Sequence, residues 1–121
     1  MRYQLQSLND LLILKLCGDV TGESWRTTFS AAEASYQATE HAGLLVDGSN
    51  LKTFDVSHVE CQRLARGFVE FAKRGAFYSN DPLIFGMMRV IHSYSNNDLF
   101  TVCKTCEQAM DFLRDCSQDY A

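Results

Sequence analysis

Gly-Leu-Leu-Val-Asp-Gly-Ser-Asn-Leu-Lys-Thr-Phe-Asp-Val-Ser-His-Val-Glu, residues 43–60, is the stretch from which the fold class is read. Leu44–Val46 has an unbroken apolar centre, as expected of a central strand in a sheet covered by helices. Asp47–Asn50 reads as a polar turn after it. The chain then passes Leu51 and Phe54 and reaches Asp55-Val56-Ser57, where a helical pattern begins. A serine hydroxyl is thereby placed at the open end of a strand–turn–helix unit, a frequent location for function in α/β domains.

On the N-terminal side, Tyr3 and Leu5 alternate with polar neighbours as in a half-buried strand. Residues 7–10, Ser-Leu-Asn-Asp, form a turn, and Leu11–Cys17 is a second, more buried strand. The short connection predicts an antiparallel hairpin. Thr21 is the expected cap of a first helix, whose apolar face is Trp25, Phe29, Ala32 and Tyr36. His41-Ala-Gly43 stops that helix.

On the C-terminal side, Cys61, Leu64, Ala65, Phe68, Phe71 and Ala72 predict the buried face of a second helix from Ser57 to Arg74, ended by Gly75. Ala76–Ser79 is the fourth strand. Asp81-Pro82 starts a third helix over Leu83–His92, with proline at its first position, and Ser93–Asn97 ends it. Leu99–Cys103 is the last strand, and Thr105-Cys-Glu-Gln108 is a capping box opening a helix to about Arg114. A frayed end is expected over Ser117–Ala121. The order β-β-α-β-α-β-α-β-α predicts an α/β fold with a mostly parallel sheet of about five strands, one antiparallel edge strand and four helices.

The 121 residues suit one domain spanning 1–121. The 11 basic and 15 acidic residues give a net charge of −4, which argues against nucleic-acid binding. No apolar run is long enough to span a bilayer, and the opening Met1-Arg-Tyr-Gln-Leu-Gln lacks the apolar region of a signal peptide. Five cysteines, an odd number, suit free thiols in a reducing compartment, so a cytoplasmic location is expected.

Leu12-Ile-Leu-Lys-Leu-Cys-Gly-Asp-Val-Thr21, Leu45-Val-Asp-Gly-Ser49 and Gln108-Ala-Met-Asp-Phe-Leu113 resemble, in order and spacing, the opening strand, the strand end and the closing helix of STAS domains, the anti-sigma-factor-antagonist family. The resemblance covers about Tyr3 to Leu113. In the antagonists the helix start reads Asp-Ser-Ser-Gly-Leu-Gly. Set against it, Asp55 takes the aspartate position and Ser57 that of the phosphorylated serine, while His58 and Glu60 stand where glycines do. The resemblance implies a non-enzymatic regulatory module that binds a protein partner, an anti-sigma factor or kinase-like regulator. The expected contact surface is Asp47, Ser49, Asn50, Lys52, Asp55, Ser57 and His58, gated by phosphorylation of Ser57. Ser57-His-Val-Glu60 also fits a capping box, which stabilises a helix without any regulation.

Two other readings stay open. A small-molecule or lipid site would lie near Phe54, Phe85 and Met88, and the apolar segment Phe85–Ile91 would also suit a homodimer interface. Cys103-Lys-Thr-Cys106 is a C-x-x-C at a strand-to-helix junction, a setting for redox chemistry, although Cys103 also occupies an apolar strand position. No catalytic constellation, metal site or cofactor is expected.

Overall fold

The computed structural model describes residues 1–118, with side chains through Arg114. In chain order the elements are β1 Arg2–Leu8, β2 Leu11–Thr21, α1 Gly22–Ala38, β3 Gly43–Asp55, α2 His58–Ala65, β4 Gly75–Tyr78, α3 Pro82–Ser95, β5 Phe100–Cys103 and α4 Cys106–Gln118. The strands form one sheet in the order β1-β2-β3-β4-β5, with β1 antiparallel to β2 and every other pair parallel. This is the expected α/β architecture, with its single antiparallel edge strand and four helices.

Local chemistry sets most of the element ends. Asn9 takes the left-handed backbone (φ 55°) that closes the hairpin, as asparagine tolerates. At the start of α1 the capping is reciprocal. Thr21 Oγ1 accepts from the Ser24 amide at 3.2 Å, and Ser24 Oγ accepts from the Thr21 amide at 2.9 Å. Asp81 Oδ1 accepts from the amides of Leu83 (2.9 Å) and Ile84 (3.1 Å), with Pro82 first in α3. Thr105 Oγ1 accepts from Gln108 N at 3.2 Å, but Gln108 Oε1 reaches past the cap to the Lys104 amide. Helix α4 runs four residues beyond its expected end, and the rest of the tail predicted to fray lies outside the described residues.

The helices divide unequally between the faces of the sheet. Leu12, Leu14, Leu16, Leu44, Val46 and Phe77 lie under α1, α2 and α3, which contribute Trp25, Tyr36, Leu64, Ile84, Met88 and Ile91. On the opposite face α4 covers Leu45 and Ala76 with Ala109 and Leu113. Each of the larger side chains fully buried here contributes roughly 1.5–3 kcal/mol relative to exposure.

Two expectations need correction. The polar turn placed at Asp47–Asn50 is strand. β3 has 13 residues and pairs with β2 as far as Thr21↔Asp55, whereas β4 leaves it at Asp47↔Tyr78. Its register slips twice, between Asp47 and Asn50 and between Leu51 and Thr53, so β3 carries two extra residues opposite β2. Gly48 lets the strand continue there, because a Cβ at that position would run into the Phe77 ring. The second correction concerns α2, which stops at Ala65 instead of Arg74. Gly67 (φ 65°) and Val69 (φ 46°) turn the chain out of the helix, and short turns such as Phe68 N to Ala65 O replace it. Groups freed by the break find partners: Asn97 Nδ2 donates to Phe68 O at 3.0 Å, and Lys73 N donates to the Tyr36 hydroxyl at 3.0 Å.

Where β4 and β5 end, the register aligns Lys15, Asp47, Tyr78 and Cys103 across the sheet. Burial, then hydrogen bonding to Asp47 and Cys106, pushes the Tyr78 phenol above its ordinary pKa of 10.0. The folded protein therefore keeps a proton that the unfolded chain releases. This contribution to stability is complete below the unfolded value and is lost as pH rises above it. Denaturant unfolding from neutral pH to about pH 11 should show a fall in stability that Tyr78→Phe makes shallower. Two glycine substitutions should act in opposite directions. Gly48→Ala should cost about 1–3 kcal/mol through overpacking against Phe77. Gly86→Ala, in α3 with no atom within 4 Å of the added methyl, should stabilise by about 0.5–1 kcal/mol in the same measurement.

Candidate functional site

β3 ends at Asp55, Val56 packs into the core, and Ser57 follows with extended backbone (φ −67°, ψ 162°) as the cap of α2. Its exposed Oγ accepts from the Glu60 amide at 3.2 Å. The return half of the expected capping box is not made. The Glu60 carboxylate instead pairs with Arg26 at 3.3 Å and lies against Gly22, the first residue of α1, where a Cβ would collide with it. The positive end of α1 favours that placement of a carboxylate. Glu60 therefore ties the starts of α1 and α2 together.

His58 turns toward α3, where its Nε2 lies 2.9 Å from the Tyr94 hydroxyl, with the rings edge to face at 5.5 Å. Tyr94 belongs to a stripe along α3 with Leu83, half-buried Met87 and Val90, spaced four, three and four residues apart. Leu83 is 58% exposed and Tyr94 41%, and on the first turn of α2 Val59 is 58% exposed. An exposed hydroxyl at a helix start thus stands beside uncovered apolar side chains.

The remaining expected contact residues lie elsewhere. Asp47 is half-buried, and its Oδ1 accepts from the Ser49 amide at 2.9 Å and from the Ser49 hydroxyl. Asn50 lines a cleft of about 400 Å³ with Arg2, Gln4, Lys15 and Cys17, against the β1–β2 hairpin. Lys52 is exposed at the second register slip, next to Thr53, whose hydroxyl donates to Asp19 at 2.7 Å. Asp47 and Asp55 lie opposite Lys15 and Thr21, six residue steps of β2 and so roughly 20 Å apart. The structure groups Asp55, Ser57 and His58, and it places Asp47, Ser49 and Asn50 apart from them.

The residues of the alternative pocket are also accounted for. Phe54 is 8% exposed and Met88 fully buried, both within the main core. Phe85 is half-buried, with Arg89 at 5.8 Å and Lys104 at 5.3 Å from its ring centre. Cys103 and Cys106 are free thiols, and burial raises the Cys103 pKa, which opposes a reactive thiolate. Among the described residues no group of three or more His, Cys, Asp or Glu could hold a metal, and no helix is long and apolar enough to cross a membrane. His41 and His92 serve helix ends, with ring nitrogens 3.0 Å from the carbonyls of Tyr36 and Asn97.

Sequence reading did not find Tyr94, Leu83 or Val59. The His58–Tyr94 contact joins residues 36 apart and exists only because α2 and α3 pack together. For Leu83 and Val90 the helical spacing did carry a signal, since both fall off the face occupied by Ile84, Met88 and Ile91.

No family model matches the chain, and no curated protein does so. Solved structures do. The anti-sigma factor antagonist SpoIIAA in its unphosphorylated form superposes with a TM-score of 0.63 at 15% identity, over 94% of this chain and 97% of that one. An anti-sigma factor antagonist from Mycobacterium paratuberculosis gives 0.63 at 16% identity, over 94% of each chain. An uncharacterized protein of the DUF3478 family from Shewanella loihica, with a SpoIIAA-like fold, gives 0.60 at 18% identity, over 93% of this chain and 92% of that one. At these identities the likeness is one of architecture, and the protein has the STAS-like fold of the anti-sigma factor antagonists.

Proposed function

We propose that the protein is a non-enzymatic regulatory module that binds a protein partner at the start of α2 and is gated by phosphorylation of Ser57. The observation that carries this reading is the position of Ser57 Oγ, exposed at the cap of α2 beside Val59 and the His58–Tyr94 pair. A partner covering this surface buries the apolar side chains that solvent now meets, and the adjacent polar groups fix its orientation. Asp55, Ser57 and His58 are the polar contacts in this reading, with an anti-sigma factor or kinase-like regulator in the cytoplasm as the partner class. Asp47, Ser49, Asn50 and Lys52 would belong to a second, flanking area of contact.

Phosphorylation suits the site electrostatically. The free amides and the dipole at the start of α2 favour an anion, and the Glu60 carboxylate beside them is engaged by Arg26, while Asp55 is the acidic neighbour on the strand side. A phosphate adds a charge of roughly −2 in the middle of a surface whose binding requires desolvation. The modified helix therefore stays folded while the partner is expelled.

The test uses wild type, Ser57→Ala, Ser57→Asp and Val90→Glu as baits in native cytosol, followed by affinity measurement on the purified partner. Wild type and Ser57→Ala should retain the same protein, with Ser57→Ala less stable by about 1 kcal/mol through loss of the cap. Ser57→Asp, which keeps a good capping residue, and Val90→Glu should bind it at least about tenfold more weakly. Equal capture by all four baits would overturn the proposal.

A further inference from the structure

The break that ends α2 at Ala65 builds a concavity of about 340 Å³ between α1 and the chain from Arg63 to Phe71. That volume is at the small end of the range for ligand sites. Its floor is aromatic. Trp25, the chain's one tryptophan, packs 4.5 Å from Phe29 and 5.9 Å from Phe68, and half-buried Phe29 and Phe71 leave ring surface open to the cavity.

The rim is charged unevenly. Arg26 is committed to Glu60, and Glu33 faces from α1. Arg63 and Arg66, three residues apart at the end of α2, have no carboxylate partner among the described residues. Two guanidinium groups above a ring-lined floor complement a flat molecule carrying a carboxylate, because arginine matches that group with paired donors.

The wall of the same cavity is strained. Val69 is β-branched yet holds φ 46°, a conformation that costs of order 1–3 kcal/mol and persists only where its surroundings impose it. The apolar spacing Cys61, Leu64, Ala65, Phe68, Phe71, Ala72 would have continued a helix through this point and left no groove. Departures of this kind from local preference concentrate at functional sites.

We propose that this groove binds small aryl carboxylates, the ring lying on Phe29 and Phe71 above Trp25 and the carboxylate held by Arg63 and Arg66. The site is separate from the Ser57 surface and does not depend on the protein-binding reading. The Trp25 indole N–H gives a unique signal in a proton–nitrogen correlation spectrum, so the probe 2-naphthoate can be titrated against it directly. A saturable shift is expected. It should need at least about tenfold more ligand for the neutral 2-naphthamide, and likewise for the doubly substituted Arg63→Gln/Arg66→Gln protein. Both arginines are exposed, so that variant should retain the wild-type spectrum away from the groove. Ser57→Asp should bind 2-naphthoate as wild type does. An unmoved Trp25 signal, or equal affinity for the amide or in the arginine variant, would overturn the proposal.

Discussion

The length of β3 governs the rest of the molecule. A strand of 13 residues lies beside β4, which has four, so its second half is held by β2 alone. The overhang projects Asp55 and Ser57 beyond the ends of β4 and β5, and α2 must begin there before the chain returns to Gly75. Close packing at Gly48 permits this, since the Phe77 ring occupies the space where any other residue would carry a side chain. The two register slips then aim Leu51 and Phe54 inward, where Phe54 reaches within 5.7 Å of the Trp25 ring centre.

From that constraint follows the shape of α2. Eight residues are enough to cap with Ser57, dock Glu60 on α1 and bury Cys61 and Leu64. A longer helix would have carried Phe68 past the aromatic cluster it joins with Trp25, Phe29 and Phe100. The chain leaves the helix at Gly67 and Val69, and tertiary hydrogen bonds from Asn97 and to Tyr36 compensate the lost backbone bonds. One short helix therefore has two different ends: a polar start beside exposed apolar residues of α3, and an arginine-bearing end above a ring-lined groove. The protein surface and the small-molecule site proposed at these two ends share no residues.

The division of the sheet faces bears on both. α1, α2 and α3 crowd one side and leave α4 alone on the other. The row Lys15, Asp47, Tyr78 and Cys103 marks where β4 and β5 stop, and its half-buried phenol next to a carboxylate is held by the geometry of adjacent parallel strands.

What the sequence determined by itself was the order of elements, the hairpin, the four helix starts and most of the core, because capping residues and apolar spacing act within a few residues of chain. Thr21, Ser57, Asp81 and Thr105 each cap the helix they were expected to cap. The position of Ser57 was legible for the same reason, while Tyr94 on α3 was brought to His58 by packing. Strand 47–54 was not legible. Its inward residues after Val46 are Gly48, Leu51 and Phe54, and two slips in register destroy the alternation that announces a strand. The end of α2 was hidden for the opposite reason: its apolar spacing stayed helical past Gly67, the left-handed residue after the Arg66 cap that ends the helix. Periodicity records which residues seek the core, and burial followed it even here, with Leu64, Phe68 and Ala72 all buried. Which backbone path delivers them was decided by contacts between segments far apart in the chain, which no local pattern encodes.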